Sequence, residues 1–397
     1  MIALTAGDNP ANSANRKPHF TSARTIILHR LIFPPRATGD SVGRNPKYIR
    51  WAFVTFLFVC VICATAGVEQ ARRGAANPAK SKKSQENTAS GQAAADSLLL
   101  PDSSKPTFTI AESALRKPIT VIAYGDMRFT NPKEKIATDP KIRMELVGRI
   151  AKERPDVLLL NGDVPYHGGV KNDYVVYKDE TRIWREEHLR VFPVLGNHEF
   201  YGCAPAQCLE NWWDTFPKLK DRRWYSVQIG ANIYVIALDS DDSLEPGSRQ
   251  IKWLTSQLDS LPRSIKFVMI NLHHPPVADP NPPSVKDKVP RPNEVALRNY
   301  LRVAAQAQNA KFVVIASHIH NYERFYQDSV MYLVTGGGGA MPYPVTRTPG
   351  DFYKGPTFPN YNYVKFVLQG NVLRATMYRL SSKGAWQVKD SFEIPYK

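Results

Sequence analysis

Along the last two thirds of the chain, short runs that are apolar at nearly every position end abruptly in polar residues. Such runs are ITVIAYGD from Ile119, DVLLLNGD from Asp156, VFPVLGNH from Val191, KFVMINLHH from Lys266 and KFVVIASHIH from Lys311. A run with no polar alternation predicts a strand covered on both faces. Between them, KIRMELVGRIAKER from Lys141 and VALRNYLRVAAQAQ from Val295 space apolar residues at three and four, which predicts amphipathic helices. The aromatic-rich stretch YNYVKFVLQGNVLRATMYRL, Tyr361 to Leu380, alternates like antiparallel strands about a Gly-Asn turn. Together these predict an α/β layered domain from about residue 106 to 397 in which that stretch completes a second sheet. TGGGGA, Thr335 to Ala340, reads as a flexible loop near the cleft; lacking a following Gly-Lys pair, it is no phosphate-binding loop.

Upstream the pattern changes. Residues 1–50 show no sustained apolar period and read as a disordered basic tail; residues 68–105, rich in Ala, Ser, Lys, Gln and Asn, read as a solvated linker. Between them WAFVTFLFVCVICATAG, residues 51–67, is apolar enough to enter a bilayer. Arg44, Lys47 and Arg50 precede it, a positive-inside orientation. It is short for a spanning helix, and Ala64–Ala66 would suit signal peptidase, so a signal-anchor and a cleaved signal both stand. Either predicts an exported catalytic domain, at the cell membrane or secreted or periplasmic. In that compartment Cys203 and Cys208 can form a disulfide pinning a loop.

The net charge of +16 does not change this picture. Residues 1–105 hold 14 Lys/Arg against 6 Asp/Glu, leaving 38 against 30 for the rest, with no basic run interleaved with aromatics. Nucleic-acid binding is not expected; an anionic small substrate is compatible.

The endings of the five runs carry the chemistry: Asp126, Asp163, Asn197 with His198, His273 with His274, and His318 with His320. Parallel sheets place ligands at their strands' carboxyl ends, so the five should converge. Hard oxygens and imidazole nitrogens suit Zn, Mn or Fe. A carboxylate bridging two cations is the arrangement that clamps the attacking and leaving oxygens of phosphoryl transfer.

In order, YGDMR, NGDVPY, GNHE, HHPP and SHIHNYER resemble the five blocks of the calcineurin-like metallophosphoesterases, and most closely the purple acid phosphatase branch. There the second block reads G-D-x-x-Y, kept by Gly162, Asp163 and Tyr166, and the last reads G-H-x-H-x-Y-E-R, kept here except for its Gly. The resemblance implies a sandwich of two sheets with helices outside. It implies Asp126, Asp163, Tyr166 and His320 around one metal, and Asn197, His273 and His318 around a second bridged by Asp163. His318 and His320 are expected on one side of an extended strand end, with Ile319 turned into the core. A phenolate at Tyr166 implies trivalent iron beside a divalent Fe, Zn or Mn. His198 is similar to the histidine that contacts phosphate and protonates the leaving alkoxide, and Glu199 is expected to orient its neighbours.

Two positions depart from the family pattern. Arg128 stands where most members have a ligating His and the purple branch a Gly. It is protonated and cannot bind metal, leaving a phosphate contact or a structural ion pair. Ser317 in place of Gly is expected to cost only backbone freedom. His274 and His167 lie beside ligands, and His274 is a candidate substrate contact. The function implied is hydrolysis of phosphate monoesters by attack of a metal-bound hydroxide. The alternatives are a phosphodiesterase or a nucleotide or phospholipid headgroup hydrolase of the same fold, set by loops 201–221 and 278–293, or a non-catalytic surface binding protein.

Overall fold

The computed structural model describes residues 104–283 and 288–397. The tail, the apolar segment 51–67, the linker up to 103 and part of loop 278–293 lie outside the described residues. No described helix is long and apolar enough to cross a membrane.

Thirteen strands are described. The first seven are β1 (Phe108–Ile110), β2 (Ile119–Tyr124), β3 (Val157–Leu160), β4 (Val191–Pro193), β5 (Tyr225–Ile229), β6 (Ile233–Ala237) and β7 (Phe267–Asn271). They continue with β8 (Lys311–Ala316), β9 (Tyr322–Gln327), β10 (Val330–Thr335), β11 (Asn362–Gln369), β12 (Val372–Leu380) and β13 (Trp386–Pro395). One sheet runs β1-β5-β6-β7-β8-β10-β9 and the other β13-β12-β11-β2-β3-β4. At the centre of the first, β6, β7, β8 and β10 are parallel; in the second, β2, β3 and β4 are parallel and β11 joins β2 antiparallel. The five expected strands are β2, β3, β4, β7 and β8, and the tail forms β11 and β12 about Gly370, at φ 62°.

Pleating explains the unbroken apolar runs. Ile233, Val235 and Ala237 of β6, Phe267 and Met269 of β7, and Val313 and Ile315 of β8 enter the core shared with the second sheet. Their neighbours Tyr234, Ile236, Val268, Ile270, Phe312 and Val314 enter a separate cluster on the opposite face. That cluster takes Ile251 and Leu254 from the helix Arg249–Asp259 and Leu297 and Leu301 from the helix Pro292–Ala307. Each fully buried aliphatic side chain contributes about 1.5–3 kcal/mol. On the second sheet lies the helix Pro140–Glu153 with Leu146, Val147 and Ile150 buried. It starts where Asp139 accepts the Lys141 and Ile142 amides, a cap contributing about 1 kcal/mol, and ends at Arg154 at φ 47°. The two-sheet sandwich with outer helices thus follows from runs that must be covered twice.

Two expectations are corrected. TGGGGA is not a flexible loop: all six residues are buried, and the Gly338 amide donates to the Gly125 carbonyl beside Asp126. Residues 317–321 do not continue a strand; the amides of Ile319 and Asn321 donate to the carbonyls two residues back, and His318 has φ 67°. These tight turns, rather than a pleat, present His318 and His320 while Ile319 is fully buried.

Candidate metal centre

Six of the seven expected donors follow the carboxyl end of a parallel strand, Asp126 after β2, Asp163 after β3, Asn197 after β4, His273 after β7, His318 and His320 after β8, while Tyr166 lies farther along the turn after β3. The chain must turn sharply there. Asp126, Arg128, Asp163 and His318 have φ of 60°, 51°, 53° and 67°, a conformation costing a non-glycine residue on the order of 1–3 kcal/mol. Buried hydrogen bonds hold these turns. The Asp126 amide donates to Gly162 O at 3.2 Å, the Arg128 amide to Asp163 O at 2.9 Å, and the His318 amide to Asp126 Oδ2 at 2.8 Å. Glu199, fully buried, accepts the amides of Asp163, Val164 and Gly196 at 3.1, 2.9 and 2.7 Å.

On one side Asn197 Oδ1 lies 3.0 Å from His273 Nε2 and 3.1 Å from His318 Nδ1; those nitrogens are 3.3 Å apart, and His273 Nε2 is 3.2 Å from Asp163 Oδ1. A tetrahedral cation with bonds of about 2.0–2.1 Å separates its donors by about 3.3 Å. On the other side His320 Nε2 lies 3.5 Å from Asp126 Oδ1. Asp126 Oδ1 is a buried atom with no hydrogen-bond partner among the described residues, an expensive arrangement unless a cation completes it. Donor chemistry, spacing and this unpartnered oxygen together fit a binuclear set.

Tautomers follow from what the far nitrogens meet. Nδ1–H of His320 donates to Met341 O at 2.6 Å, turning Nε2 to Asp126. Nδ1–H of His273 donates to Asn161 O at 2.9 Å, with Ser317 Oγ also 2.9 Å away, turning Nε2 to the cluster. The Asn197 amide nitrogen donates to Tyr201 Oη at 3.0 Å, which leaves its oxygen facing inward. Burial, together with the neighbouring positive groups, moves His320 down to about 3 and holds His318 and His274 well below the usual imidazole range, so these rings are neutral donors. Burial pushes Asp126 up to about 7. At Asp163 burial has the opposite tendency, but His198, His273 and Arg128 outweigh it and keep the carboxyl well below its usual range.

The remaining candidates border this set. His198 donates Nδ1–H to Tyr166 O at 2.6 Å, and its Nε2 lies 3.7 Å from Asp163 Oδ2. The Tyr166 ring stacks on His198 with centroids 5.5 Å apart, and its contacts are through ring and backbone. Arg128 donates Nε and Nη2 to Asp163 Oδ2 at 3.3 and 3.2 Å, which makes it an ion-pair partner. His274 is buried, shares its Nδ1 with Ser240 Oγ at 2.8 Å, and joins His273 and His318 in a second group able to hold a cation. His167 is half-buried and lines, with Tyr166, Thr130 and Glu134, a cavity of about 540 Å³. A larger cavity of about 810 Å³, lined by Phe108, Trp184, Phe192 and Phe216, touches none of the donors; donor geometry, not volume, marks the site.

Sequence reasoning missed three contributors. Ser317 does more than restrict its backbone, since its hydroxyl braces Asn161 O and His273 Nδ1. Asn321 ties the histidine turn to Tyr343 O, Thr357 O and Arg347. Tyr343 donates to His318 O at 3.0 Å and packs 5.0 Å from the His320 ring. Only Asn321 had a signal, its place directly after the histidine pair.

Residues 141–324 match the family model described as calcineurin-like phosphoesterase. Among solved structures, the chain is similar to a purple acid phosphatase from yellow lupin (Lupinus luteus) seeds, at TM-score 0.58 and 19% identity. That match covers 71% of this chain and 54% of the lupin chain, so this chain spans about half the lupin protein's length. It is also similar to a dimetal phosphatase from Danio rerio, at TM-score 0.49 and 16% identity over 71% of this chain and 100% of that one. No curated protein matches the chain by sequence. Strand order, the placement of the donors and the match over residues 141–324 lead to one conclusion: the chain has the two-sheet α/β metallophosphoesterase fold, and its residues 141–324 match the calcineurin-like phosphoesterase family.

Proposed function

We propose that the chain hydrolyses phosphate monoesters at a binuclear centre. The observation that carries this reading is the convergence of six donors from both sheets, Asp126, Asp163, His273, His318 and His320 buried and Asn197 half-buried, around one carboxylate. When bound, two cations neutralise phosphoryl charge and lower the pKa of an attacking water. The chain's own residues do the rest. Asp163 offers one oxygen to each half of the site. His273 and His320, each held from behind by a backbone carbonyl, and His318 turn ring nitrogens to the site. His198 keeps Nε2 toward the centre; burial, opposed by Asp163, brings it down to about 4, and a phosphate dianion in reach raises it enough to pass a proton to the leaving alkoxide.

The finer reading follows the residue pattern. Tyr166 beside His198 supports trivalent iron in the Asp126 half, with a divalent ion in the other. The formed Cys203–Cys208 disulfide supports an exported domain held by residues 51–67 or released by cleavage.

The test offers the full chain a chromogenic phosphomonoester and its matching diester, with Asp163→Ala as control. Faster cleavage of the monoester, lost by at least about a hundredfold in the variant, is expected; a preference for the diester would reassign the substrate class. Absence of either activity in protein carrying two metals per chain would overturn both ester readings. The same preparations report on iron. A pink or purple colour lost in Tyr166→Phe is expected, and a colourless active protein containing only zinc or manganese would reject it.

A further inference from the structure

We infer that Arg128 is a built-in countercharge that makes the two halves of the centre unequal, so that the Asn197–His273–His318 half takes a divalent cation first. The Asp126–His320 half takes a divalent cation only when the guanidinium leaves Asp163. This rests on the binuclear reading above and deepens it.

The two oxygens of Asp163 are already divided. Oδ1 faces His273 Nε2 at 3.2 Å and accepts the His198 amide at 3.0 Å. Oδ2 receives both Nε and Nη2 of Arg128. A guanidinium cannot ligate a metal and stays charged, so a cation reaching Oδ2 meets a positive charge on the same atom. Arg128 is not a distant side chain that happens to fold inward. Its amide donates to the Asp163 carbonyl at 2.9 Å, Arg143 Nη1 donates to the Arg128 carbonyl at 3.4 Å, and Phe129 and Pro165 pair in an isolated parallel bridge just beyond. Its side chain is only 16% exposed. The φ of 51° at this position is one that glycine adopts freely, so the arginine is held there against backbone preference.

The opposite half carries no such obstacle. Asn197 Oδ1, His273 Nε2 and His318 Nδ1 stand 3.0 to 3.3 Å apart, Asp163 Oδ1 lies 3.2 Å from the His273 nitrogen, and the other nitrogen of His273 is turned away to Asn161 O. A phosphate brings acceptor oxygens that a guanidinium grips in bidentate fashion. Substrate therefore draws Arg128 off Asp163 and favours filling of the second half, and a residue that resists the second cation becomes a phosphate contact.

The experiment strips the full chain with a chelator and titrates it with Zn(II) alone by equilibrium dialysis, counting zinc per chain. Wild type is expected to bind one zinc tightly and a second at least about tenfold more weakly. Arg128→Gly, which suits the backbone, and Arg128→Gln should both narrow that gap to within about threefold by tightening the second site. His320→Ala should keep the tight zinc and lose the weak one. Two equal zinc sites in wild type, or an unchanged gap in both Arg128 variants, would overturn the inference while leaving the binuclear reading standing. No zinc bound by wild-type chain that melts cooperatively would strike down the binuclear reading and this inference with it.

Discussion

At the scale of single residues, the centre depends less on its donors than on what keeps them in backbone conformations they would not choose. Asp163 at φ 53° is the clearest case. Glu199 reaches under it with a fully buried carboxylate, Oε2 accepting the Asp163 and Gly196 amides and Oε1 accepting the Val164 amide. Both oxygens are therefore committed as acceptors. In Glu199→Gln one of them becomes an amide nitrogen facing an N–H, leaving at least one buried donor unsatisfied, which costs about 1–3 kcal/mol. The expected outcome is a lower melting temperature, with Glu199→Asp also destabilising because the shorter chain cannot span all three amides. A Glu199→Gln variant that melts with the wild type would show that the triple acceptor is not what holds Asp163. The orienting role of Glu199 was legible from its place in GNHE; the bracing role of Ser317 was not, because a hydroxyl beside a buried imidazole leaves no periodic trace.

At the scale of elements, what was legible depended on apolar density. Strands β2, β3, β4, β7 and β8 announce themselves because both faces are covered, and their donor-terminated ends mark the site. The same criterion misses β6 although that run is wholly buried and is followed by Asp239, Asp241 and Asp242, and it passes over β13, whose residues are mostly exposed or half-buried and so show no apolar run. It also misread the glycine run, since four glycines look alike whether they bend freely or are packed. Here they are packed: a Cβ on Gly336 would lie 2.1 Å from Ile319 O and 2.6 Å from Asp126 Oδ2. Gly336→Ala should thus push on the backbone carrying the histidine turn and on a metal donor together, costing about 1–3 kcal/mol as overpacking does and weakening zinc binding. Gly148→Ala makes the comparison, because a Cβ there meets nothing within 4 Å and the helix gains about 0.5–1 kcal/mol. Equal zinc affinity and melting temperature for Gly336→Ala and wild type would return the glycines to the flexible-loop reading.

At the scale of the whole molecule, the centre is a joint between two sheets. Asp126, Asp163 and Asn197 extend from the second sheet, His273 and His318 from the first, and between them lie direct contacts such as His273 Nε2 to Asp163 Oδ1 and the buried amide pair Asn161 Nδ2 to Asn271 Oδ1 at 2.7 Å. Cations held by both sides bind the native state and not the separated sheets, so they add to folding stability by mass action. At a free concentration 100 to 1,000 times Kd the gain is about 2.7–4.1 kcal/mol. For a folded part of this size each kilocalorie moves the melting temperature by about 2–4 °C, so stripping the metals should lower it by on the order of 5–15 °C. Asp163→Ala tests whether the gain comes from this joint, since it removes the one carboxylate shared by both halves. Its melting temperature should sit near that of stripped wild type and barely respond to chelator or to added zinc. If stripped and loaded wild type melt together although dialysis shows the zinc removed, the sheets are held by their core alone and the donors serve chemistry without joining the fold.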